Sequence, residues 1–175
     1  DVAIAKQHWP MLVNAYDNSV RYTDYVLSRI IDYLGSLENT SSALLYCADH
    51  GEDLIDDHRE RFLHASPTTT AYQLYVASLA WFSESYRERF PEKVAAAEAN
   101  ATAPATTHAL FHTMADMASI RGRFLTTKVS LVSPDFDRTA PRRYLNDHNE
   151  AVPYRKTGLR PEDMEVFRRY GIELN

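Results

Sequence analysis

Two continuous apolar runs stand out in the pattern of hydrophobic and polar residues. Residues 43–48 carry no charge and show no alternation with polar positions, which is typical of a strand covered on both faces in an α/β sheet. The second run, Leu74–Phe82, is rich in aromatic and branched side chains and predicts a second buried strand. We therefore expect the chain to fold around a sheet that contains both runs.

Apolar residues at helical spacing predict the main helices. From Leu12 to Leu37 they recur mostly at intervals of three and four, opposite a charged face, which predicts one long amphipathic helix. Residues 106–120 predict a second amphipathic helix. Trp9-Pro10 is expected to end an entry segment, because the residue before a proline avoids helical geometry.

Shorter signals mark the remaining elements, and neither an internal repeat nor a domain boundary is visible among them. Proline is common in the first turn of a helix, and serine is a common helix cap. The other predicted elements are a helix capped by Ser83, a surface helix at Pro91–Ala101, extended pieces at residues 131–136 and 140–145, a short strand at Tyr154–Leu159, and a last helix from Pro161 to near Gly171.

Composition and charge narrow the class of protein. The 175 residues are 45% hydrophobic and 25% charged, which is typical of one globular domain with a core. The net charge of -5 gives no basic footprint for a nucleic acid, and no nucleic-acid partner is expected. The apolar runs are far shorter than the roughly 20 residues of a membrane span.

The single cysteine, Cys47, excludes an internal disulfide and a thiolate metal cluster. Because it lies inside the first apolar run, we interpret it as a small buried hydrophobe and not as a nucleophile.

The candidate chemistry lies where the first apolar run ends, at Asp49-His50-Gly51. Open α/β sheets carry their active sites just beyond such strand ends. A carboxylate oxygen and an imidazole nitrogen are both ligands of divalent cations, and Gly51 would allow the bend that brings them together. The alternative is that Asp49 caps a following helix and His50 is an ordinary loop residue. His64, in a later loop, is able to fold back over the same place.

We assign structural roles, and not functional ones, to the other polar groups. The acidic group Asp53, Asp56 and Asp57 is expected to be solvent-facing loop charge. His108 and His112 are four residues apart on one helix face, a spacing found in zinc helices. No acidic residue stands between them, so capping or packing is predicted for both.

Four segments together resemble the sulfatase-like phosphoethanolamine transferases of bacterial envelopes. Their order and spacing make the likeness more specific than Asp-His-Gly alone, and it covers about the first 120 residues. The segments are Asn14–Val20 with Tyr22–Tyr25, Leu44–Glu52, Leu63-His64 and Thr107–Thr113.

The resemblance implies an α/β fold, the alkaline-phosphatase/sulfatase-like α/β/α sandwich, with residues 1–175 as the carboxyl-terminal half of its catalytic domain. It implies that Asp49 and His50 bind a catalytic Zn2+, with another divalent cation as an alternative. It also implies that His64 assists at the phosphoryl site. The implied reaction moves phosphoethanolamine from a phospholipid donor to lipid A or another envelope glycan acceptor through a phospho-threonine intermediate.

The chain departs from this family in what it lacks. The threonine nucleophile, an early acidic metal ligand and a membrane-spanning domain are expected upstream of Asp1, with the parent anchored in the bacterial inner membrane and this domain in the periplasm. Thr68, Thr69 and Thr70 follow the second half of the site, so we reject them as nucleophiles. Alternatives are another sulfatase-superfamily enzyme (a phosphoglycerol transferase, a sulfatase or a phosphodiesterase) and a binding module without catalysis.

Overall fold

A computed structural model describes residues 2–64, 69–146, 148–156 and 158–172. The helices are α1 Val2–Gln7, α2 Trp9–Ser36, α3 Ala71–Leu74, α4 Glu84–Arg89, α5 Pro91–Asn100, α6 Ala109–Met117 and α7 Pro161–Arg169. The strands are β1 Ala43–Cys47, β2 Asp53–Leu54, β3 Phe62–Leu63, β4 Ser78–Phe82, β5 Arg143–Leu145 and β6 Ala151–Pro153. Strands β1 and β4, β2 and β3, and β5 and β6 form three antiparallel pairs.

Helix α2 is the predicted long helix, but it begins at Trp9 and not at Leu12. Pro10 lies in its first turn, where the missing N–H has no helical partner to lose. The expectation that Trp9-Pro10 ends an entry segment is therefore wrong, and the break falls at His8, after α1. None of the residues of α2 is fully buried, so its apolar stripe is only partly covered by the described residues.

The two apolar runs do pair, as β1 and β4, with Ala43 opposite Phe82 and Cys47 opposite Ser78. Burial on both faces is a wrong prediction, because every β1 residue is half-buried and Ser78 to Ala80 are exposed. The reason is that the described residues supply only two strands to this sheet, which leaves its edges and part of its surface open. Strand β4 also begins four residues later than predicted, since α3 occupies the start of that run.

The core lies where β4 meets α4, α5 and α6. Its buried residues are Phe82, Tyr86, Val94, Met117 and Val132. The Tyr86 hydroxyl donates to the Met117 carbonyl at 2.8 Å, and burial raises the pKa of Tyr86 to about 12. Ser83 caps α4 by accepting from the backbone of Tyr86, which confirms the predicted helix start and holds these layers together.

The other predicted helices are found with shifted ends. Helix α5 begins at Pro91 as predicted, α6 is shorter than residues 106–120, and α7 begins at Pro161. The strand predicted at Tyr154–Leu159 is wrong, because Tyr154–Lys156 form a 3-10 turn. The strand comes just before it and ends at Pro153, which has no N–H to continue a ladder.

A buried ion network joins the segment after β2 to α3 and α7. Arg59 donates two bonds of 2.8 Å to Asp163 and also binds Asp57. Asp163 is fully buried and accepts from the backbone N–H groups of Ala71 and Arg160 at 2.9 Å each. The network connects residues 104 positions apart and fixes the segment that leads to the candidate site.

Candidate active site

The site forms at the end of β1, where the chain crosses the backbone of α3. The Ala48 N–H donates to Ala77 at 3.0 Å, and the Gly51 N–H donates to Gln73 at 2.8 Å. A Cβ atom on Gly51 would lie only 1.9 Å from the Tyr72 carbonyl oxygen. Gly51 does not have a positive φ, so a glycine is needed here for a close backbone approach and not for the conformational freedom that the sequence suggests.

Asp49 and His50 lie between the end of β1 and Gly51, and their side chains are close to each other. The distance from His50 Nε2 to Asp49 Oδ2 is 3.7 Å. His50 Nδ1 is 3.1 Å from the Gly51 carbonyl, which only accepts, so Nδ1 carries the proton and Nε2 keeps its lone pair in the neutral ring. Histidines that bind metals are commonly oriented by such a bond from the other ring nitrogen.

Asp49 is ionised in this setting. Its side chain is 90% exposed, and the backbone N–H of His50 donates to Oδ1 at 3.1 Å. This hydrogen bond, with a smaller contribution from the His50 ring, lowers the pKa of Asp49 below its usual value. A carboxylate oxygen and a ring nitrogen with a lone pair therefore face each other across 3.7 Å, an arrangement that is able to take a cation between them.

His64 reaches the same place from the β2–β3 hairpin. Leu63, just before it, has a φ of 61°, and this left-handed conformation turns the chain sharply. The rings of His50 and His64 lie 4.0 Å apart between centroids. His64 Nδ1 donates to Glu52 Oε1 at 2.8 Å, which leaves Nε2 of a half-exposed ring available to another group.

The donor set fits a divalent metal. Ligands of one tetrahedral zinc lie about 3.4 Å apart, since each lies about 2.0–2.2 Å from the ion, and the Asp49–His50 pair is close to that spacing. Ligand atoms of His50, Glu52 and His64 form a wider group, all within 4.8 Å of one another. Glu52 Oε2 is buried without a hydrogen-bond partner among the described residues, so the centre has an acceptor in excess of its donors.

Glu52 is the functional-site residue that sequence reasoning misses. It belongs to the Asp-His-Gly-Glu segment, but only the folded hairpin brings His64 back to it across 12 positions. Cys47, predicted as a small buried hydrophobe, is a half-buried thiol in the structure. Burial, and then the nearby Asp49, raise the pKa of Cys47, so the thiol stays protonated.

The acidic group after Glu52 departs from its predicted exposure. Asp56 is exposed, but Asp57 is half-buried against Arg59, and Asp53 is only 2% exposed. Burial raises the pKa of Asp53, although Thr70 donates to it at 2.7 Å and Gln73 donates to its other oxygen. The expectation of solvent-facing charge is wrong for Asp53, because these two polar partners from α3 allow a carboxylate in the interior.

The threonines rejected as nucleophiles have other partners. Thr70 is buried and caps α3 by accepting from the Gln73 N–H, and Thr69 bonds the Tyr144 hydroxyl at 2.7 Å. Thr68 lies outside the described residues.

The histidines of α6 are also separate from this centre. His112 is buried and its Nδ1 accepts from the Thr126 N–H at 3.3 Å, which confirms the prediction of packing. His108 directly precedes the helix and makes no side-chain cap bond.

Comparison with known proteins identifies what the chain is similar to. The Sulfatase family model matches residues 5–120. Phosphoethanolamine transferase EptA from Salmonella typhimurium is 30% identical over 127 residues, covering 70% of this chain and 23% of EptA. Kdo(2)-lipid A phosphoethanolamine 7''-transferase from Escherichia coli is 37% identical over 79 residues, which cover 44% of this chain and 13% of the transferase.

Solved structures of similar fold are periplasmic domains. The C-terminal periplasmic domain of phosphoethanolamine transferase EptC from Campylobacter jejuni gives a TM-score of 0.63 at 26% identity, over 72% of this chain and 39% of that one. The corresponding EptC domain from Escherichia coli, in complex with Zn, gives 0.65 at 23% identity, over 82% of this chain and 40% of that one. These neighbours support the predicted sulfatase-like α/β fold.

The chain spans less than a quarter of the length of these curated relatives. Among the described helices, none combines the length and the apolar character that crossing a bilayer requires.

Proposed function

This chain belongs to the sulfatase family, and from that premise we propose that it is the carboxyl-terminal part of the catalytic domain of a metal-dependent phosphoethanolamine transferase. The curated relatives support this proposal, because they are named as phosphoethanolamine transferases. The proposed domain sits in the periplasm as part of an inner-membrane protein, in line with the periplasmic domains of similar fold.

The proposed reaction transfers phosphoethanolamine from a phospholipid to lipid A or another envelope glycan. The group passes through a phospho-threonine whose threonine belongs to the part of the protein outside this chain. Support for the acceptor comes from the relative named as a Kdo(2)-lipid A transferase.

The observation that carries the proposal is the convergence of Asp49, His50, Glu52 and His64 at the end of β1. We assign Asp49 and His50 Nε2 as ligands of one Zn2+, because their donor atoms face each other at 3.7 Å and the Gly51 carbonyl fixes the required tautomer. A zinc ion held there supplies a Lewis acid that stabilises charge on phosphoryl oxygens and lowers the pKa of a nucleophilic hydroxyl.

His64 is assigned the acid–base role. Glu52 holds its Nδ1–H at 2.8 Å and so directs Nε2 outward. When the ring is protonated, the Nε2–H can donate to a phosphoryl oxygen or pass its proton to the leaving diacylglycerol oxygen. Imidazole is suited to this because its ordinary pKa lies near neutrality. The same Glu52–His64 bond argues against the wider His50, Glu52 and His64 group as the first metal site, because a cation there would compete with the shared proton.

Metal binding tests the ligand assignment in the 175-residue chain. We expect the chain to bind zinc in titration calorimetry, and Asp49→Ala and His50→Ala each to weaken the affinity by at least about tenfold. Asp17→Ala and His58→Ala are matched controls, since both residues are exposed outside the site, and they should retain it. Zinc lost in Glu52→Gln but kept in Asp49→Ala would assign the metal to the wider group instead.

Transfer activity tests the function in the full-length protein. His64→Ala should lower the rate at which phosphoethanolamine is added to lipid A by about 10²–10⁴-fold, the usual contribution of a general acid, while His58→Ala should not. Hydrolysis of a sulfate ester without transfer would favour a sulfatase of the same family. Normal transfer by His64→Ala would remove its proposed role, and a full-length protein without either activity would favour the binding module.

A further inference from the structure

Arg142, the residue before β5, is a buried cation with unused donors. It is 8% exposed, and its Nε and Nη2 atoms are buried without a hydrogen-bond partner among the described residues. Burial lowers the pKa of Arg142, and among the described residues the Tyr154 hydroxyl is the group that acts in the opposite direction. Arginine nevertheless stays protonated in proteins, so a full positive charge lies in the interior.

Among the described residues, an aromatic ring lies beside the Arg142 guanidinium, and no acidic side chain pairs with it. The Tyr154 ring lies 5.6 Å from the guanidinium carbon, and the Tyr154 N–H donates to the Arg142 carbonyl at 3.4 Å. A ring face attracts a cation, but it does not satisfy two N–H donors. A buried charge without such partners is strongly unfavourable, so the position requires an anion.

The hairpin that carries Arg142 contacts Thr69, the residue that precedes the cap of α3. Tyr144, two residues further along β5 and therefore on the same face as Arg142, bonds Thr69 through its hydroxyl. On the other side, Tyr154 packs edge-on against Phe167 of α7, with 6.4 Å between ring centroids. The hairpin that carries Arg142 is thus held by Thr69 on one side and by α7 on the other, and the ring that lies beside the guanidinium is the one that contacts α7.

We propose that Arg142 is the centre of an oxyanion-binding site that takes a phosphate group, either as free phosphate or as a phosphate monoester. The unused Nε and Nη2 donors lie on the same side of the guanidinium and form the fork that binds two oxygens of one anion. The choice of phosphate over a carboxylate rests on the proposed function, whose substrates carry phosphate groups. The anion site itself rests only on Arg142.

Thermal unfolding of the 175-residue chain tests the site with inorganic phosphate and with glycerol 3-phosphate, each against chloride at equal ionic strength. At a hundredfold excess over Kd, a bound anion should raise Tm by about 5–10 °C. Arg142→Met should lose this rise and, in chloride alone, should unfold no earlier than the wild type, since it removes an uncompensated buried charge. Arg143→Met should keep the response, because Arg143 is an exposed neighbour.

Phosphate also stabilises proteins by exclusion from their surfaces, so the difference between wild type and Arg142→Met is the measured quantity. An equal rise in both proteins would overturn the site. A marked drop in Tm of Arg142→Met in chloride would also overturn it, because Arg142 would then be paired within the chain. A rise with phosphate alone indicates an enclosed site for the free ion, and a rise with both ligands indicates a site open to monoesters.

If Arg142→Met does not fold, the wild-type protein alone still tests whether Arg142 binds an anion. The Nε–H resonance of Arg142, labelled with 15N, should shift in a saturable way as phosphate is added, and no shift would refute the site. Zinc titration is independent of this measurement, so failure of the anion site and failure of the proposed transferase are separable.

Discussion

At the scale of single residues, Gly51 has the strictest local requirement in the site. Its position predicts freedom to bend, but the structure gives a different reason, the approach of the Tyr72 carbonyl to within 1.9 Å of a would-be Cβ. The obstacle is backbone, so it cannot rotate away. The crossing of β1 and α3 therefore depends on the absence of a side chain.

We expect Gly51→Ala to lower the free energy of unfolding by about 1–3 kcal/mol, the cost of overpacking a tight contact. Urea unfolding of the 175-residue chain measures this as a lower midpoint with an unchanged slope. Gly122→Ala is the matched control, since its Cβ would meet only the Leu125 Cδ1 at 4.0 Å. Equal midpoints for the two variants would show that the crossing can relax.

Some of the site residues can be predicted from the sequence, and others cannot. The end of an apolar run followed by Asp49-His50 is visible in the sequence, and the structure brings His64 to the same point. The partnership of Glu52 with His64 is not visible, because it depends on a hairpin with a left-handed Leu63. Their roles in metal binding and proton transfer stay predictions.

At the scale of elements, the candidate site depends on α3, a helix of a single turn whose backbone the chain crosses after β1. Thr70 both caps it, with the Gln73 N–H donating at 3.4 Å, and donates to buried Asp53 at 2.7 Å. The hydroxyl thus serves two partners at once. An apolar replacement of the same shape would leave a buried carboxylate oxygen short of one donor.

We expect Thr70→Val to lower the free energy of unfolding by about 2 kcal/mol, from the lost cap and the under-satisfied carboxylate. Thr70→Ser keeps the hydroxyl and should recover most of the stability. Zinc affinity of the folded chain should stay unchanged in Thr70→Ser, since Thr70 is not assigned to the metal. Valine and serine variants of equal stability would mean that the hydroxyl does not stabilise α3.

Helices with clear periodicity and caps are the elements that the sequence predicts well. Helix α2 and the starts of α4 and α5 follow from spacing, Ser83 and Pro91. The burial of the strands cannot be predicted in the same way. An apolar run shows that a strand is able to be buried, but it does not show how many neighbouring elements cover the strand. The strand expected after Tyr154 fails for a local reason, the proline that ends β6.

At the scale of the whole molecule, the Arg59–Asp163 network connects the segment after β2 to α7, the last helix of the described fold. In sequence, Asp57 has the pattern of solvated loop charge and Asp163 belongs to the first turn of a predicted helix. Arg59, the partner of Asp163, lies 104 positions away, so no linear pattern reveals the network. The family resemblance covers only about the first 120 residues and is silent on α7. Long-range charge pairing is therefore the part of this fold that could not be predicted from the sequence and is seen only in the structure.

The network predicts how stability depends on pH. Burial raises the pKa of Asp163, but the hydrogen bonds from Arg59, Arg160 and Ala71 outweigh burial and hold it below its ordinary value. A depressed pKa stabilises the fold fully above the ordinary aspartate value of about 3.9, and this contribution disappears as pH falls through the folded-state pKa. Acid should therefore loosen α7 from the Arg59 segment.

We expect Asp163→Asn to lower the free energy of unfolding by about 3 kcal/mol at pH 7, because it leaves the buried Arg59 without one of its two carboxylates. The gap to the wild type should narrow between pH 4 and pH 2, since only the wild type loses the stabilising charge there. Urea unfolding across this range measures both effects, and Asp17→Asn, an exposed aspartate on α2, should change stability by no more than about 0.5 kcal/mol. A gap that stays constant down to pH 2 would mean that the Asp163 charge is not what joins α7 to the Arg59 segment.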